Sequence, residues 1–161
     1  MESEQRQPNL DIQIRCAFDE IHLGEQQIRK LLNQICEKFS LYNAEISISV
    51  VGDEEMRRIN NEFLNRDTAT DVISFDLTDE DESGRVFDII VNGEKARRQA
   101  SRRKHSEQAE LALYLVHGML HNLGFDDSDR RQAERMHKAE DKILTQAGYG
   151  AIYGAKSCHS S

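Results

Sequence analysis

The chain has 161 residues, 31% of them charged and 38% hydrophobic, which is typical of one folded domain rather than of a disordered segment. Its formal net charge of −8 opposes unspecific binding to nucleic-acid backbones. No apolar run reaches the roughly 18 residues of a membrane helix, and the opening residues MESEQRQPNL lack the apolar centre of a secretory signal, so neither a membrane protein nor an exported one is predicted.

The first half of the chain predicts alternating strands and helices. Apolar residues at every second position predict strands at 11–16 and 46–51, and apolar residues three and four apart predict an amphipathic helix at 28–39, after Gly24. Asp53 is expected to cap the next helix. The apolar face of that helix consists of Met56, Ile59 and Phe63.

The second half predicts a β-hairpin followed by three helices. Residues 71–77 and 86–91 have the composition of strands around a polar loop, TDEDESGR. Three residues suited to helix N-caps precede the helical patterns: Asn92, Ser106 and Ser128. Two glycines suited to helix C-termini follow the later patterns: Gly124 and Gly148.

This order of elements predicts one α+β domain over residues 10–150, in which a small mixed sheet of about four strands is covered on a face by helices. The pattern leaves open which strand pairs are parallel. Residues 1–9 and 154–161 are expected to be flexible ends. The three cysteines (Cys16, Cys36 and Cys158) lie far apart and form no CxxC pair. They predict neither a disulfide nor a thiolate zinc site, and they indicate the reducing cytoplasm.

The stretch HGMLHNLGFDD, residues 117–127, is the strongest candidate for a functional site. His117 and His121 are four residues apart, so a helix places both imidazoles on one face, where both can reach one ion. Gly124 allows the chain to leave the helix through a left-handed turn and to return Asp126 or Asp127 toward that ion. Three protein ligands leave a fourth position for water, as in catalytic zinc sites.

The histidines also have a plainer interpretation, in which either one is a hydrogen-bonded core residue. For the other histidines, at positions 22, 105, 137 and 159, a surface position is expected. Zinc proteases with the HExxH motif place a glutamate after the first histidine as general base. This chain has Gly118 there, which argues against a protease.

The motif resembles the signature of the YbeY family of bacterial endoribonucleases, H-G-x-L-H-x-x-G-Y-D-H, with two changes. A second block, residues 66–75 (RDTATDVISF), is similar to the family's K-D-x-P-T-D-V-L-S-F, and a weaker third block, residues 87–91 (FDIIV), to G-D-I-x-I. The blocks follow in the family's order. The resemblance implies an α+β domain with a metal site at the end of a central helix and a role in ribosomal RNA maturation.

By position, the resemblance assigns the metal to His117, His121 and, where the family has a third histidine, Asp127. One zinc ion per chain is expected. The added carboxylate would make the zinc-bound water a weaker acid and the site more permissive to other divalent metals. Asp126 is expected either to orient a ligand or a water, or to cap the following turn.

The residues expected to meet the substrate lie in or near the second block. The family's arginine after L-N-x-x-Y falls on Leu64, which cannot bind a phosphate, and Arg66, two residues on, is a possible substitute. Thr70, Asp71 and Ser74 are expected to line a cleft beside the metal. Thr70 and Asp71 equally suit a turn that enters a strand.

A basic segment, KARRQASRRK at residues 95–104, contrasts with the acidic average of the chain. Lys95, Arg98 and Arg102 fall at i, i+3 and i+7 of the predicted helix, a stripe that can follow a phosphate backbone. A solvated helix face is the alternative.

The function that the resemblance implies is a metal-dependent, single-strand-specific endoribonuclease in the cytoplasm, with ribosomal RNA and the small ribosomal subunit as partners. Two alternatives stay open. One is a non-catalytic, ribosome-associated factor that keeps the metal, for which Leu64 argues. The other, less favoured, is a metallohydrolase of another substrate. The sequence leaves the oligomeric state open.

Overall fold

The structure, a computed structural model, describes residues 9–18, 23–81 and 83–153. Its strands and helices follow in the order β1 (Asn9–Cys16), α1 (Glu25–Lys38), β2 (Asn43–Val51), α2 (Asp53–Leu64), β3 (Val72–Asp76), β4 (Arg85–Asn92), α3 (Gly93–Arg103), α4 (Glu107–Asn122) and α5 (Arg130–Gln146). The predicted α+β class is confirmed. The predicted flexible ends lie outside the described residues, except for Asn9, which begins β1.

The four strands form one mixed sheet in the order β1-β2-β4-β3. β1 pairs with β2 and β2 with β4 in parallel, whereas β3 and β4 form the antiparallel hairpin that the polar loop predicts. β3 is consequently an edge strand, with one side free of other strands. This free side faces the candidate site.

The core lies mainly on one face of the sheet. Alternate residues of the central strands, such as Ile48 and Ile89, are fully buried there against α1, α4 and α5. α4 is buried almost all round, since every residue from Ala109 to Val116 is buried. It is therefore the central helix.

α2 packs on the opposite face of the sheet, so the expectation of helices on a single face is incomplete. Met56 and Ile59 of α2 contact Ile73 and Ile90 in a second, smaller apolar cluster. Phe63, predicted for the buried face of α2, is instead 62% exposed and meets the ring of Phe75 edge to face.

Two predicted N-caps are confirmed, because the Asn92 and Ser106 side chains accept hydrogen bonds from Lys95 N and Ala109 N. Two others are wrong. Gly52 is the N-cap of α2, and Asp53 is its first residue, whose carboxylate accepts from Asn92 and Arg98.

The last helix begins one residue later than predicted. Asp129 is the N-cap of α5 and accepts from Gln132 N. The Ser128 hydroxyl donates to Asp126, so this side chain belongs to the preceding turn. A carboxylate at Asp129 supplies the negative charge that a helix N-terminus favours.

Candidate metal centre

The last two turns of α4 carry the two motif histidines on one face, as the spacing predicts. The Nε2 atoms of His117 and His121 lie 3.1 Å apart. Both side chains are partly exposed, at 22% and 32% of their surface, so the pair lies at the boundary with the solvent. The helix frame therefore holds two nitrogen donors in one place before any ligand binds.

Asp127 returns to these histidines through a glycine turn. Leu123 caps the end of α4, and Gly124 adopts φ +102°, a left-handed conformation that costs a glycine little. The Phe125 amide then donates to Leu120 O at 2.9 Å, which closes the turn. Asp127 carboxylate oxygens lie 3.8 Å from the Nε2 atoms of both His117 and His121.

These donor atoms suit a divalent metal ion. One ligand atom from each of His117, His121 and Asp127 lies within 4.8 Å of the other two. Donors about 2.0–2.2 Å from a tetrahedral zinc ion are separated by roughly 3.3 Å, close to the spacings observed. Asp127 is 46% exposed, which leaves one side of the group open to the solvent.

Glu140 of α5, which is not among the predicted site residues, contacts His117 from the core side. The carboxylate is fully buried and accepts from His117 Nδ1 at 3.1 Å. With Nδ1 as the donor, the lone pair of Nε2 points toward His121 and Asp127. The signal was present in the sequence, because Glu140 falls on the apolar face of its helix between Met136 and Ile143.

The buried carboxylate also changes the electrostatics of the histidine. Burial lowers the pKa of His117, but the hydrogen bond and the charge of Glu140, with Asp71 and Asp127, outweigh it and raise the pKa overall. The site therefore has a negative potential that favours a cation at the imidazole.

Gly118, which argues against a protease, has a packing role. A Cβ atom at this position would lie 2.9 Å from Ile89 Cγ2 and 3.1 Å from Val72 Cγ2. Such distances are too short for two carbon atoms, so only glycine lets α4 approach the sheet this closely. The close approach places His117 beside the free side of β3.

A cleft of about 570 Å³ opens beside the histidines, along the free side of β3. Its walls include the predicted substrate residues Arg66, Thr70, Asp71 and Ser74, together with His117 and His121. Leu64 lies in the same wall and is 45% exposed. The structure thus brings the two strongest sequence motifs to one place.

The polar residues of the second motif also support the local backbone. Asp71 accepts from Val72 N at 2.9 Å and from the Thr70 hydroxyl at 3.3 Å, which is the turn into the strand that the sequence allows. Asn60, a buried residue of α2, donates to Thr68 O at 2.9 Å and holds the loop that carries Arg66. These contacts fix the shape of the cleft wall.

Asp126 caps the turn after α4, the second of its two expected roles. Its carboxylate accepts from Ser128 Oγ and from Asp127 N, both at 2.8 Å. The Ser128 hydrogen bond is the largest cause of the lowered pKa of Asp126. The hydrogen bonds of Asp126 therefore stabilise the turn that carries Asp127.

The basic segment of α3 lies away from the cleft. Arg98 makes a two-point ion pair with Asp53 at the start of α2, one of its contacts being 3.0 Å. Arg102 is exposed, and neither arginine lines the cleft. Arg97 and Arg103 of the same helix face glutamates of α4.

Two of the remaining histidines differ from the expected surface positions. His105 Nε2 lies 2.5 Å from Glu110 Oε2, and Glu110 is fully buried. His137 stacks on the ring of Tyr153 at 3.8 Å. His22 and His159 lie outside the described residues, as does Cys158, and Cys36 is a buried thiol whose pKa burial raises to about 11.

Comparisons with known proteins agree on one family. The sequence profile described as Endoribonuclease YbeY matches residues 13–148. The protein named Endoribonuclease YbeY from Heliobacterium modesticaldum is 40% identical over 122 residues, which is 68% of this chain and 74% of that protein. The one from Halalkalibacterium halodurans is 36% identical over 155 residues, which is 86% of this chain and 98% of that protein.

One solved structure has a similar fold. The solution structure of a target protein from Thermotoga maritima superimposes with a TM-score of 0.57 at 20% sequence identity, and the match covers 94% of this chain and 96% of that one. Among the helices that the structure describes, none combines the length and the apolar character needed to cross a membrane.

Proposed function

The chain belongs to the Endoribonuclease YbeY family, and we propose that it cleaves single-stranded ribosomal RNA with the help of a divalent metal ion. The cleavage would take place in the cytoplasm, during maturation of the small ribosomal subunit. The observation that carries the metal dependence is the convergence of His117, His121 and Asp127. His117 and His121 also line a cleft whose other walls carry a cation and hydroxyl groups.

His117, His121 and Asp127 would hold the ion, with zinc as the first candidate. When bound, a divalent ion supplies Lewis acidity toward a phosphodiester oxygen and lowers the pKa of water. Glu140 keeps the His117 ring in one orientation and one tautomer, so the donor set needs little rearrangement. The carboxylate of Asp127 widens the range of metals that fit, since hard oxygen ligands suit magnesium and manganese as well.

The chain's own residues would bind and orient the RNA. Arg66 offers the cleft a guanidinium that can bind a phosphate through two hydrogen bonds. Thr70 and Ser74 offer hydroxyl groups in the same wall. Single-stranded RNA suits this surface, because unpaired nucleotides can bend and present their phosphates and bases to the cleft walls.

Cleavage assays test this proposal directly. Protein loaded with zinc is incubated with single-stranded and structured fragments of ribosomal RNA, beside His117→Ala and His121→Ala. We expect cleavage of the single-stranded fragment and its loss in both variants. Equal cleavage by wild type and variants would point to a contaminating nuclease and would contradict the proposal.

A non-catalytic, ribosome-associated factor is the second candidate, favoured by Leu64 in the cleft wall. In that case wild-type protein would bind the small subunit and zinc but would cleave neither fragment. Leu64→Arg sharpens the distinction, because it restores a cation beside Arg66. If wild type already cleaves RNA, this variant should cleave it faster. If wild type is inactive because Leu64 stands in place of the arginine, cleavage should appear only in the variant.

The two adjacent aspartates provide a matched test of the ligand set. Asp127→Ala removes a predicted ligand, and Asp126→Ala removes only the carboxylate that caps the turn. Metal analysis after dialysis is expected to show one ion per chain in wild type, a large loss for Asp127→Ala and a smaller loss for Asp126→Ala. Equal occupancy in wild type and Asp127→Ala would remove Asp127 from the ligand set.

A further inference from the structure

The outer face of α5 carries a line of cations that the metal site does not use. Arg131, Arg135, Lys138 and Lys142 fall at i, i+4, i+7 and i+11, so they lie within a narrow sector of the helix surface. All four are exposed. We call this line the α5 stripe.

The α5 stripe has no carboxylate partner in the part of the chain that the structure describes. Other cations do have partners: Arg130 of the same helix pairs with Glu134 at 3.5 Å, and Arg98 of α3 pairs with Asp53. In a chain of net charge −8, carboxylates are plentiful, so four unpaired cations in a row are unexpected.

Lys38 at the end of α1 extends this positive surface. Its pKa is lowered, first by burial and then by the positive charge of Lys142. Like charges held close together raise the free energy of the unbound protein, and an anionic partner relieves that repulsion. Binding of a polyanion to this surface is therefore electrostatically favourable.

The length of the α5 stripe fits an extended polyanion. From Arg131 to Lys142 the helix rises about 16 Å, enough to face several consecutive phosphates of one nucleic-acid strand. A single phosphate would need the cations to converge on one point, whereas these are spread along a line. The geometry therefore favours a backbone over a small anion.

An anionic membrane fits this surface less well. Helices that bind membranes place large apolar side chains beside their cations. The large apolar residues of α5 (Met136, Ile143 and Leu144) are buried in the core. The residues that flank the α5 stripe are small or polar: Gln132, Glu134, Ala139, Thr145 and Gln146. No large apolar side chain of this helix is exposed, so none can enter a bilayer.

α5 also belongs to the metal centre. Its N-cap, Asp129, follows Asp127 by two residues, and Glu140, on the side opposite the α5 stripe, contacts His117. An RNA segment on the α5 stripe is therefore held outside the cleft by the same rigid helix that positions a metal-binding histidine.

From these observations we propose that the α5 stripe binds the phosphate backbone of RNA that lies outside the cleft, an inference that rests on the proposed function. The bound segment anchors a large substrate while a single-stranded part of it occupies the cleft. Four cations at this surface account for RNA binding by an acidic protein, because the local field rather than the average charge acts at contact.

The test compares two double variants that change the net charge equally. Arg135→Gln with Lys142→Gln neutralises half of the α5 stripe. Arg15→Gln with Arg58→Gln neutralises two arginines that pair with Glu55 near α2. Binding of a fluorescent ribosomal RNA fragment to metal-free protein is measured by anisotropy between low and moderate salt, and circular dichroism checks that each variant is folded.

We expect the α5 double variant to bind about tenfold more weakly at low salt, and the slope of log affinity against log salt to fall by about two. The control double variant should keep the slope of wild type. Equal slopes for the two variants would overturn the proposal. The proposal would also be overturned if wild type bound phosphatidylserine vesicles, the α5 double variant did not, and both bound RNA equally, because the surface would then recognise lipid.

Binding and cleavage separate this inference from the proposed function. If wild type binds RNA through the α5 stripe but never cleaves it, the inference stands and the nuclease proposal fails. If wild type cleaves RNA and the α5 variant binds it as tightly as wild type, the nuclease proposal stands and the inference fails.

Discussion

Two buried glutamates contact histidines at opposite ends of α4, and the two pairs have different roles. Glu110, in the first turn, lies 2.5 Å from His105. Glu140 of α5 lies 3.1 Å from His117, near the last turn of α4. Both glutamates are fully buried, so both carboxylates depend on protein partners instead of water.

The surroundings of the two pairs differ. Glu110 also faces Arg103 at 3.4 Å and lies close to Tyr114, whose pKa is raised by burial and by the charge of Glu110. These partners close the cluster inside the protein. Glu140 contacts the Nδ1 atom of the His117 ring, so the Nε2 atom of this ring is left to face His121 and Asp127 at the solvent boundary. A buried histidine–glutamate pair therefore indicates a functional site only where the second ring nitrogen meets other ligands.

The largest effect expected from this comparison concerns the metal. His117→Ala removes a ligand and should abolish both zinc binding and RNA cleavage, whereas His105→Ala should leave both in place. Isothermal titration with zinc and a cleavage assay on the same preparations measure this. Loss of zinc binding in His105→Ala as well would contradict the distinction between the two histidine–glutamate pairs.

A second prediction concerns the stability of the closed cluster. Glu110→Ala leaves the charge of Arg103 without its buried partner and should lower the free energy of unfolding by about 3–5 kcal/mol. Urea denaturation followed by circular dichroism measures it. Glu107→Ala removes an exposed glutamate of the same turn, and its cost should be below about 1 kcal/mol. Similar costs for the two would show that the Glu110 cluster contributes no special stability.

A third prediction concerns the open pair. Glu140→Gln keeps the shape of the side chain but removes the charge behind His117, and zinc affinity should fall about 10–100-fold. Competition with a chelating indicator measures the affinity. Glu134→Gln, on the exposed side of α5, is the control and should bind zinc like wild type. An unchanged affinity in Glu140→Gln would reduce Glu140 to a packing role.

The smallest effect is expected at an exposed pair, Asp53 with Arg98. The hydrogen bond from Arg98 is the main cause that lowers the pKa of Asp53 below its ordinary value of 3.8. The folded state is therefore favoured while Asp53 is ionised, and this contribution disappears as the pH falls below that value. Because the pair is partly solvated, Asp53→Asn should cost about 1 kcal/mol or less at pH 7. Denaturation at pH 7 and pH 2.5 checks that the cost is lost in acid.

Most of the site was predictable because its residues are close in sequence. His117, His121, Gly124 and Asp127 lie within one helix end and one turn, so helical geometry and a left-handed glycine suffice to bring them together. The N-caps at Asn92 and Ser106 were predictable for the same local reason. The family motif added the second block, which the structure places in the same cleft.

Contacts between distant residues were not predictable in this way. A local pattern treats Asp53 as a helix cap, but in the fold its carboxylate meets Arg98, 45 residues away. A local pattern also treats Arg98 as a free cation of a basic stripe. In the fold, Arg98 and its neighbour Arg103 lie beside carboxylates of α2 and α4, whereas the four cations of the α5 stripe meet none in the described chain.

The sequence by itself determined the α+β class, the order of strands and helices, and the group of His117, His121 and Asp127, since these follow from periodicity and from contacts within a few residues. The tertiary structure alone decided the strand order with β3 at the edge, the support of His117 by Glu140, and which cations stay unpaired. These properties depend on which surfaces pack together, and packing joins residues whose separation along the chain carries no periodic signal.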